Sequence, residues 1–431
     1  MPTEQNLLDN YLSNIDILGE GMPVWFNARR SDAAAALNLH GLPTAKQERY
    51  LHSDIVRLLE GEWEQYFVAR RHPAPKELLP EADANRIELI NGRAVNNGLQ
   101  ISIEGAVYGS LRAAACSEKY GALVEKWLDS AADMSDTPTA LTRMFVQDGA
   151  FIYLPEGIEE QSPILIDNFY HAENEAELCF SQILVVAEKG ARAEVIITHR
   201  SAGDGRIFAG ITREAIIGED ADVHFTELYD LQQNCSIVNN NYVHQAKASH
   251  CATMSCKTGD GYVRAAYNSA LTAPEAVSDV WALFLCGGEE HCDLNLAVRH
   301  LAPDCRSYSL VKGAAAGNAV GSFAGMVYVA QDAQRTDAQQ QSRNLLLNDT
   351  ARIFAQPQLE IYADDVKCSH GATVGQLDDE AIYYMRQRGL SEKQARRLQI
   401  EGFAYDVVQH CGCQHMCRHI SELTAAKLEK M

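Results

Sequence analysis

Between Arg143 and Thr373 the chain is a succession of short apolar or alternating runs with no convincing helix between them. Residues 164–166, 183–186, 193–198, 222–226 and 344–347 are examples, each bounded by small or acidic residues. Several boundaries share one form: Asp148-Gly149-Ala150, Lys189-Gly190-Ala191, Glu219-Asp220-Ala221 and Asn348-Asp349-Thr350. Such runs read as strands and such boundaries as turns. A doubly wound α/β fold needs a crossover helix between parallel strands, and none fits here. A sandwich, a propeller or a β-helix remains. Asn-Gly and Asp-Gly hairpin dipeptides are few, which weighs against antiparallel architectures. The pattern predicts a stacked solenoid, mainly β, over residues 136–374.

The flanks differ. Residues 1–135 are expected to be mainly helical. Ala33-Ala34-Ala35-Ala36-Leu37 is a helix former's run. Ile55, Leu58, Leu59, Trp63 and Phe67 recur at three and four, which predicts an amphipathic helix over 53–67 with Ser53 as N-cap. A loop with Pro73, Pro75 and Pro80 follows. Helix returns over 375–431. Asp378, Asp379 and Glu380 suit a helix N-terminus, Gly389 a stop, and Ser391 with Gln394 a capping box. Ile400, Phe403, Ala404, Val407 and Val408 form one apolar stripe. It serves either packing onto the solenoid or docking of a partner, the latter through Ile400, Phe403 and Val407.

The net charge of −21 repels phosphate backbones and anionic lipid, so neither nucleic acid nor a membrane surface is expected as a partner. No apolar run approaches the roughly 18 residues of a spanning helix. The polar start, Met1-Pro2-Thr3-Glu4-Gln5-Asn6, is unlike a secretory signal. A cytoplasmic protein whose cysteines are thiols is therefore expected. Cys116, Cys179, Cys235, Cys286 and Cys292 read as small buried hydrophobes. The chain has no Gly-Lys dipeptide, hence no phosphate loop of that type. It also lacks His-Glu-x-x-His and Gly-x-Ser-x-Gly, and no self-contained enzyme is indicated.

Two segments carry ligand chemistry. In Asp364-Asp365-Val366-Lys367-Cys368-Ser369-His370-Gly371-Ala372-Thr373, a thiol and an imidazole stand two apart. On a strand Cys368 and His370 face the same side. Both donors suit iron or zinc, and Lys367 is placed to favour the thiolate. Two donors do not close a tetrahedral site, so others must come from another segment or another chain. A merely packed pair is the plain alternative. The second segment holds His410, Cys411, Cys413, His415, Cys417 and His419. As one helix it would gather His410, Cys413 and Cys417 on one face and Cys411, His415 and His419 on another, though Gly412 weakens that helix. A metal site or a solvated helix end both fit. His250-Cys251 and His291-Cys292 point to opposite strand faces and read as structural. His300 and Cys305 read as part of a turn.

Val327-Tyr328-Val329-Ala330-Gln331-Asp332, Arg343-Asn344-Leu345-Leu346-Leu347 and Lys367-Cys368-Ser369-His370-Gly371-Ala372-Thr373 resemble the SufB/SufD family, the last in its SufD form. Gly41-Leu42-Pro43-Thr44-Ala45-Lys46-Gln47-Glu48-Arg49-Tyr50 is similar to the N-terminal signature of that branch. The resemblance implies a right-handed parallel β-helix between two helical domains. It implies a non-catalytic scaffold for iron–sulfur cluster assembly, paired with a SufB-like subunit and carrying a SufC-like ATPase on its C-terminal helices. Sulfur would come from a cysteine desulfurase system. The cluster would be transient at the subunit interface, with His370, beside Cys368, meeting donors of the partner. The segment 410–419 departs from the family pattern. A SufB-like scaffold, a homodimer of the isolated chain, and a β-helix metalloprotein using the tail stay open as alternatives, and a flavin is neither indicated nor excluded.

Overall fold

The computed structural model describes residues 3–61, 63 and 85–431. Two ten-stranded sheets face each other. From Gly149–Leu154 onward, successive strands alternate between them, and each pairs in parallel with the equivalent strand of the next coil. In the first sheet Asp222 pairs with His250, His250 with Val277, Val277 with Arg306, and Arg306 with Asp337. This is the parallel solenoid expected from the run of short strands. Of the turn motifs, Lys189-Gly190 and Glu219-Asp220 hold residues with left-handed backbone, Gly190 at φ 67° and Asp220 at φ 56°. Asp148-Gly149 differs. Gly149 opens a strand, and the buried Asp148 carboxylate accepts hydrogen bonds from Ser110 Oγ and the N–H groups of Arg112 and Ala94. His300 likewise closes the buried end of the strand His291–His300.

Strand alternation sends every second side chain inward. Val195, Ile197, Val223, Phe225, Val263 and Ala265 belong to one core that follows the solenoid axis. The outer faces are also apolar, and each is covered by different helices. Leu178, Phe180, Phe208 and Val238 of the second sheet pack with Leu7, Tyr11, Leu37, Leu141 and Phe145. Ile196, Leu228, Met254, Leu283 and Leu310 of the first sheet pack with Ile400, Ala404, Val407, Met416 and Ile420. The N-terminal and C-terminal helices therefore sit on opposite sides.

The helix formers at 33–37 lie in the helix Val24–His40. The C-terminal punctuation also holds. Asp378 caps Asp379–Gln387, Gly389 takes φ 95°, and Ser391 with Gln394 closes a capping box on Glu392–Val408. The helix expected over 53–67 is instead Ile55–Leu59. Its cap is Asp54, which accepts from Arg57 N–H, because the Ser53 hydroxyl donates to Asp293 on the second sheet. Phe67, Pro73, Pro75 and Pro80 lie outside the described residues. The region before residue 135 is not all helix. Asn85–Ile90 joins the first sheet beside Ile164–His171, and Val107–Ser110 joins the second beside Gly149–Leu154. Those partners are remote in sequence, so no local pattern announces them. Among the described residues, no helix is long and apolar enough to cross a membrane.

Two interior features set the fit of the coils. Phe284 lies where Gly313 and Gly321 leave room, and a methyl group on either glycine would overlap its ring. Nearby in the core runs a polar seam. Buried Glu227 accepts hydrogen bonds from His199, Asn239 and Tyr267, at 3.1, 2.7 and 2.8 Å. The buried Arg213 guanidinium lies 4.2 Å over the Phe225 ring and makes no hydrogen bond, so charge and the ring face hold it. Burial opposes the Glu227 charge, but Arg213 and the hydrogen bonds overrule it and hold the carboxyl at about 2.

Gly313→Ala is expected to destabilise the chain by about 1–3 kcal/mol through overpacking. Gly371→Ala, where a methyl group meets nothing, should stay within about 0.5 kcal/mol. Denaturant titration of the two variants checks this. Glu227 stays ionised in the folded chain below the roughly 4.3 of an unfolded glutamate. Its contribution is thus complete above that value and is lost as pH falls toward about 2. Melting temperature against pH should fall in that window for wild type. Glu227→Gln should melt lower at neutral pH, because Arg213 loses its counter-charge, and should show a flatter acid limb.

Candidate functional site

The solenoid ends differently from how it begins. At its start, antiparallel strands Arg93–Ala94, Leu99–Ile101 and Val107–Ser110 flank the sheets. At its end, Arg352–Ile361 and Val366–Gly375 each pair on one side only. Their other edges carry backbone groups with no strand partner among the described residues. Phe354, Ile361, Tyr362 and Val374 are exposed there. Such an edge is a ready template for another chain.

Cys368 and His370 lie on this last strand, opposite Ala338 and Gln340. Alternation puts them on one side, as their spacing predicts. Cys368 is half-buried and packs with Leu359 and Val366 against Val327, Val329 and Ala338. His370 is exposed. Burial pushes the Cys368 thiol up despite a hydrogen bond from the Ala338 backbone, and Asp337 pushes it further. Lys367 points to the opposite strand face, so the expected support for a thiolate from Lys367 is not built into this coil.

The tail is organised differently from its pattern. The helix Glu392–Val408 stops, and Gln414–Lys430 begins with Cys413 as N-cap. The two helical faces expected over 410–419 therefore do not form. Cys411 is buried, receives the Thr226 hydroxyl at 3.7 Å and donates to the Cys413 carbonyl at 3.4 Å. Burial pushes its thiol up to about 12. His410 stacks on Trp281 with ring centres 4.0 Å apart. His415 is exposed, while Cys417 and His419 are half-buried. Among the described residues, no three donors of this tail converge.

The apolar stripe is this chain's own packing face. Ile400 and Val407 are buried against the first sheet. Phe403 is half-buried, with Lys312 Nζ 4.3 Å over its ring and bonded to its carbonyl at 3.0 Å. A docking face made of these residues is corrected accordingly. What the C-terminal helices expose is Tyr383, Tyr384, Leu398 and Tyr405. Of the cysteines expected inside, Cys179, Cys235, Cys286 and Cys292 are buried, but Cys116 is exposed.

The one convergence of three metal-type donors among the described residues is elsewhere. Asp222, His224 and His250 meet on the outer face of the first sheet. His250, read from sequence as structural, lies beside Asp222 only because adjacent coils align in that register. The Asp222-x-His224 spacing was the local half of the signal.

The family model described as SUF system FeS cluster assembly, SufBD core domain, matches residues 169–403. That described as SufBD protein N-terminal region matches 1–166. The chain belongs to the SufBD family. It is 27% identical to the iron–sulfur cluster assembly protein SufD of Escherichia coli over 372 residues, covering 86% of this chain and 85% of that protein. It is 25% identical to SufD of Bacillus subtilis over 335 residues, covering 77% and 76%. A SufBD-family protein of Synechocystis is 27% identical over 398 residues, covering 88% and 86%. The chain is thus an iron–sulfur cluster assembly protein of the SufBD type with SufD homologues. The core-domain match includes Cys368 and His370 and ends before the ligand-rich segment 410–419.

Thiol exposure gives a direct check. Brief alkylation of the native chain near neutral pH, read by peptide mass spectrometry, should modify Cys116 and leave Cys411, Cys286 and Cys292 unmodified. Cys368 should react more slowly than Cys116, and all should react after unfolding.

Proposed function

We propose that this chain is the SufD-type scaffold subunit of an iron–sulfur cluster assembly complex and performs no catalysis itself. The observation that carries the reading is the outer edge of the last strand, which has no strand partner among the described residues. That strand offers a thiol and an imidazole on one side, at an edge open to another polypeptide. Cys368 and His370 are two donors, which is too few for a cluster. A SufB-like subunit docked on the open coil would supply the rest, and the cluster would be cargo of the joint site. Sulfur would arrive from a cysteine desulfurase system. A SufC-like ATPase would dock on the C-terminal helices, where Tyr383, Tyr384, Leu398 and Tyr405 are exposed, and its hydrolysis would reshape the interface. The SufD relatives over most of the chain support this reading, and it places the protein in the cytoplasm.

Co-expression with SufB-like and SufC-like subunits, with affinity capture on this chain, is expected to yield one complex. Without partners, the chain should show no ATP hydrolysis. His370→Ala should leave folding and capture intact but lower cluster yield on anaerobic reconstitution of the complex by about tenfold or more. Failure to form any complex, or a stoichiometric cluster on the isolated chain, would overturn the reading.

A further inference from the structure

The outer face of the first sheet carries a second arrangement of ligand atoms, unconnected with the open coil. Asp222 and His224 stand two apart on Asp222–Asp230, so they share the outward side. His250 lies directly opposite Asp222 in the next coil. Asp222 Oδ1 is 3.2 Å from His224 Nε2 and 2.9 Å from His250 Nδ1. The imidazole rings are perpendicular, with centres 5.2 Å apart. One ligand atom from each residue lies within 4.8 Å of the other two. Donors on a tetrahedral ion at about 2.0 Å are separated by about 3.3 Å, close to the two Asp222–histidine distances here.

Two further observations point to a cation. The far nitrogen of His250, Nε2, faces Asp279 Oδ2 at 3.1 Å. A ligating histidine is commonly oriented this way, its second N–H donated to a carboxylate that fixes the ring. The second concerns Glu194, the coil partner of His224 on the other side. One of its carboxylate oxygens, Oε1, is buried with no hydrogen-bond partner. A buried carboxylate oxygen without a hydrogen-bond partner, beside the His224 imidazole, is costly unless a positive charge lies near it. Gly412 of the interhelical connection closes over that carboxylate.

The geometry points to a divalent transition-metal site formed by Asp222, His224 and His250, with Asp279 orienting His250. Two imidazoles and a carboxylate suit first-row ions such as zinc and ferrous iron. The ligand side chains are between 30% and 44% exposed, which leaves coordination positions open to solvent and makes the ion exchangeable. All three donors stand on strands, which hold them more precisely than loops would. This site does not depend on the cluster-scaffold reading.

The test uses the full chain, stripped with chelator and titrated with cobalt(II) in excess magnesium, then competed with zinc. One cobalt per chain is expected, with visible d–d bands and no sulfur-to-metal charge-transfer band. His224→Gln and His250→Gln should each weaken binding about tenfold or more, and Asp279→Asn about tenfold. Unchanged melting curves would show that these surface variants still fold. A chain with Cys411, Cys413 and Cys417 all changed to Ser should bind as wild type. Any of three results would overturn the proposal. The first is no cobalt binding by wild type beyond magnesium competition, which leaves only an Asp–His hydrogen-bonded network. The second is wild-type cobalt binding by the histidine variants. A charge-transfer band, lost in the serine variant, would put the ion on the tail thiolates.

Discussion

Each coil of this solenoid is held by a parallel backbone ladder to the coil before it, and among the described residues that ladder stops without a cap at the last coil. The proposed docking of a partner subunit on the last coil follows from this constraint. A strand in mid-sheet has both edges satisfied and offers only side chains. The strands Arg352–Ile361 and Val366–Gly375 retain an edge of donors and acceptors. Unpaired edges are normally blunted by charge, bulges or cover. Here the opposite end of the solenoid has antiparallel strands alongside it, and among the described residues the end that carries Cys368 and His370 has none.

The two outer faces divide the remaining work. Covering each with separate helices leaves the solenoid rigid while its last coil stays accessible. Buried lysines fix how the C-terminal helices sit. Lys427 bonds Asp260 and Glu290, Lys257 bonds the same Glu290, and Lys312 reaches Asp406 and the Phe403 carbonyl. An ammonium left unpaired in such a place is strongly destabilising, so these pairs select one seating of helix on sheet. The same seating buries Ile400 and Val407 and brings the 409–413 connection over Glu194.

The core is not uniformly apolar. His199 stacks on Tyr229, its neighbour in the next coil, with ring centres 4.8 Å apart, and both border the Glu227 seam. A buried polar seam is tolerable only when its members satisfy one another. Glu227 is fully served, whereas Arg213 relies on charge and a ring face. The seam therefore ties neighbouring coils together through Glu227.

The local features were legible in the amino-acid order. Short apolar or alternating runs without helices between them excluded a doubly wound fold, and the scarcity of hairpin dipeptides favoured a solenoid over a sandwich or propeller. Asp378, Gly389 and the Ser391–Gln394 pair marked helix ends, since caps are satisfied by residues within a turn. The spacing of Cys368 and His370 put them on one side, since a strand alternates by construction. Other features depended on contacts between distant residues. Whether the Ile400 stripe met the sheet or a partner depended on the apolar outer face formed by Ile196, Leu228 and Leu310. Ser53 lost its capping role to Asp293, and Asp148 became an anchor for three donors. The meeting of Asp222 with His250 depended on the length of a coil, which sets register but leaves no mark at either residue. Tertiary structure decided these points, because burial, register and orphaned polar groups are properties of pairs of segments and not of either segment alone.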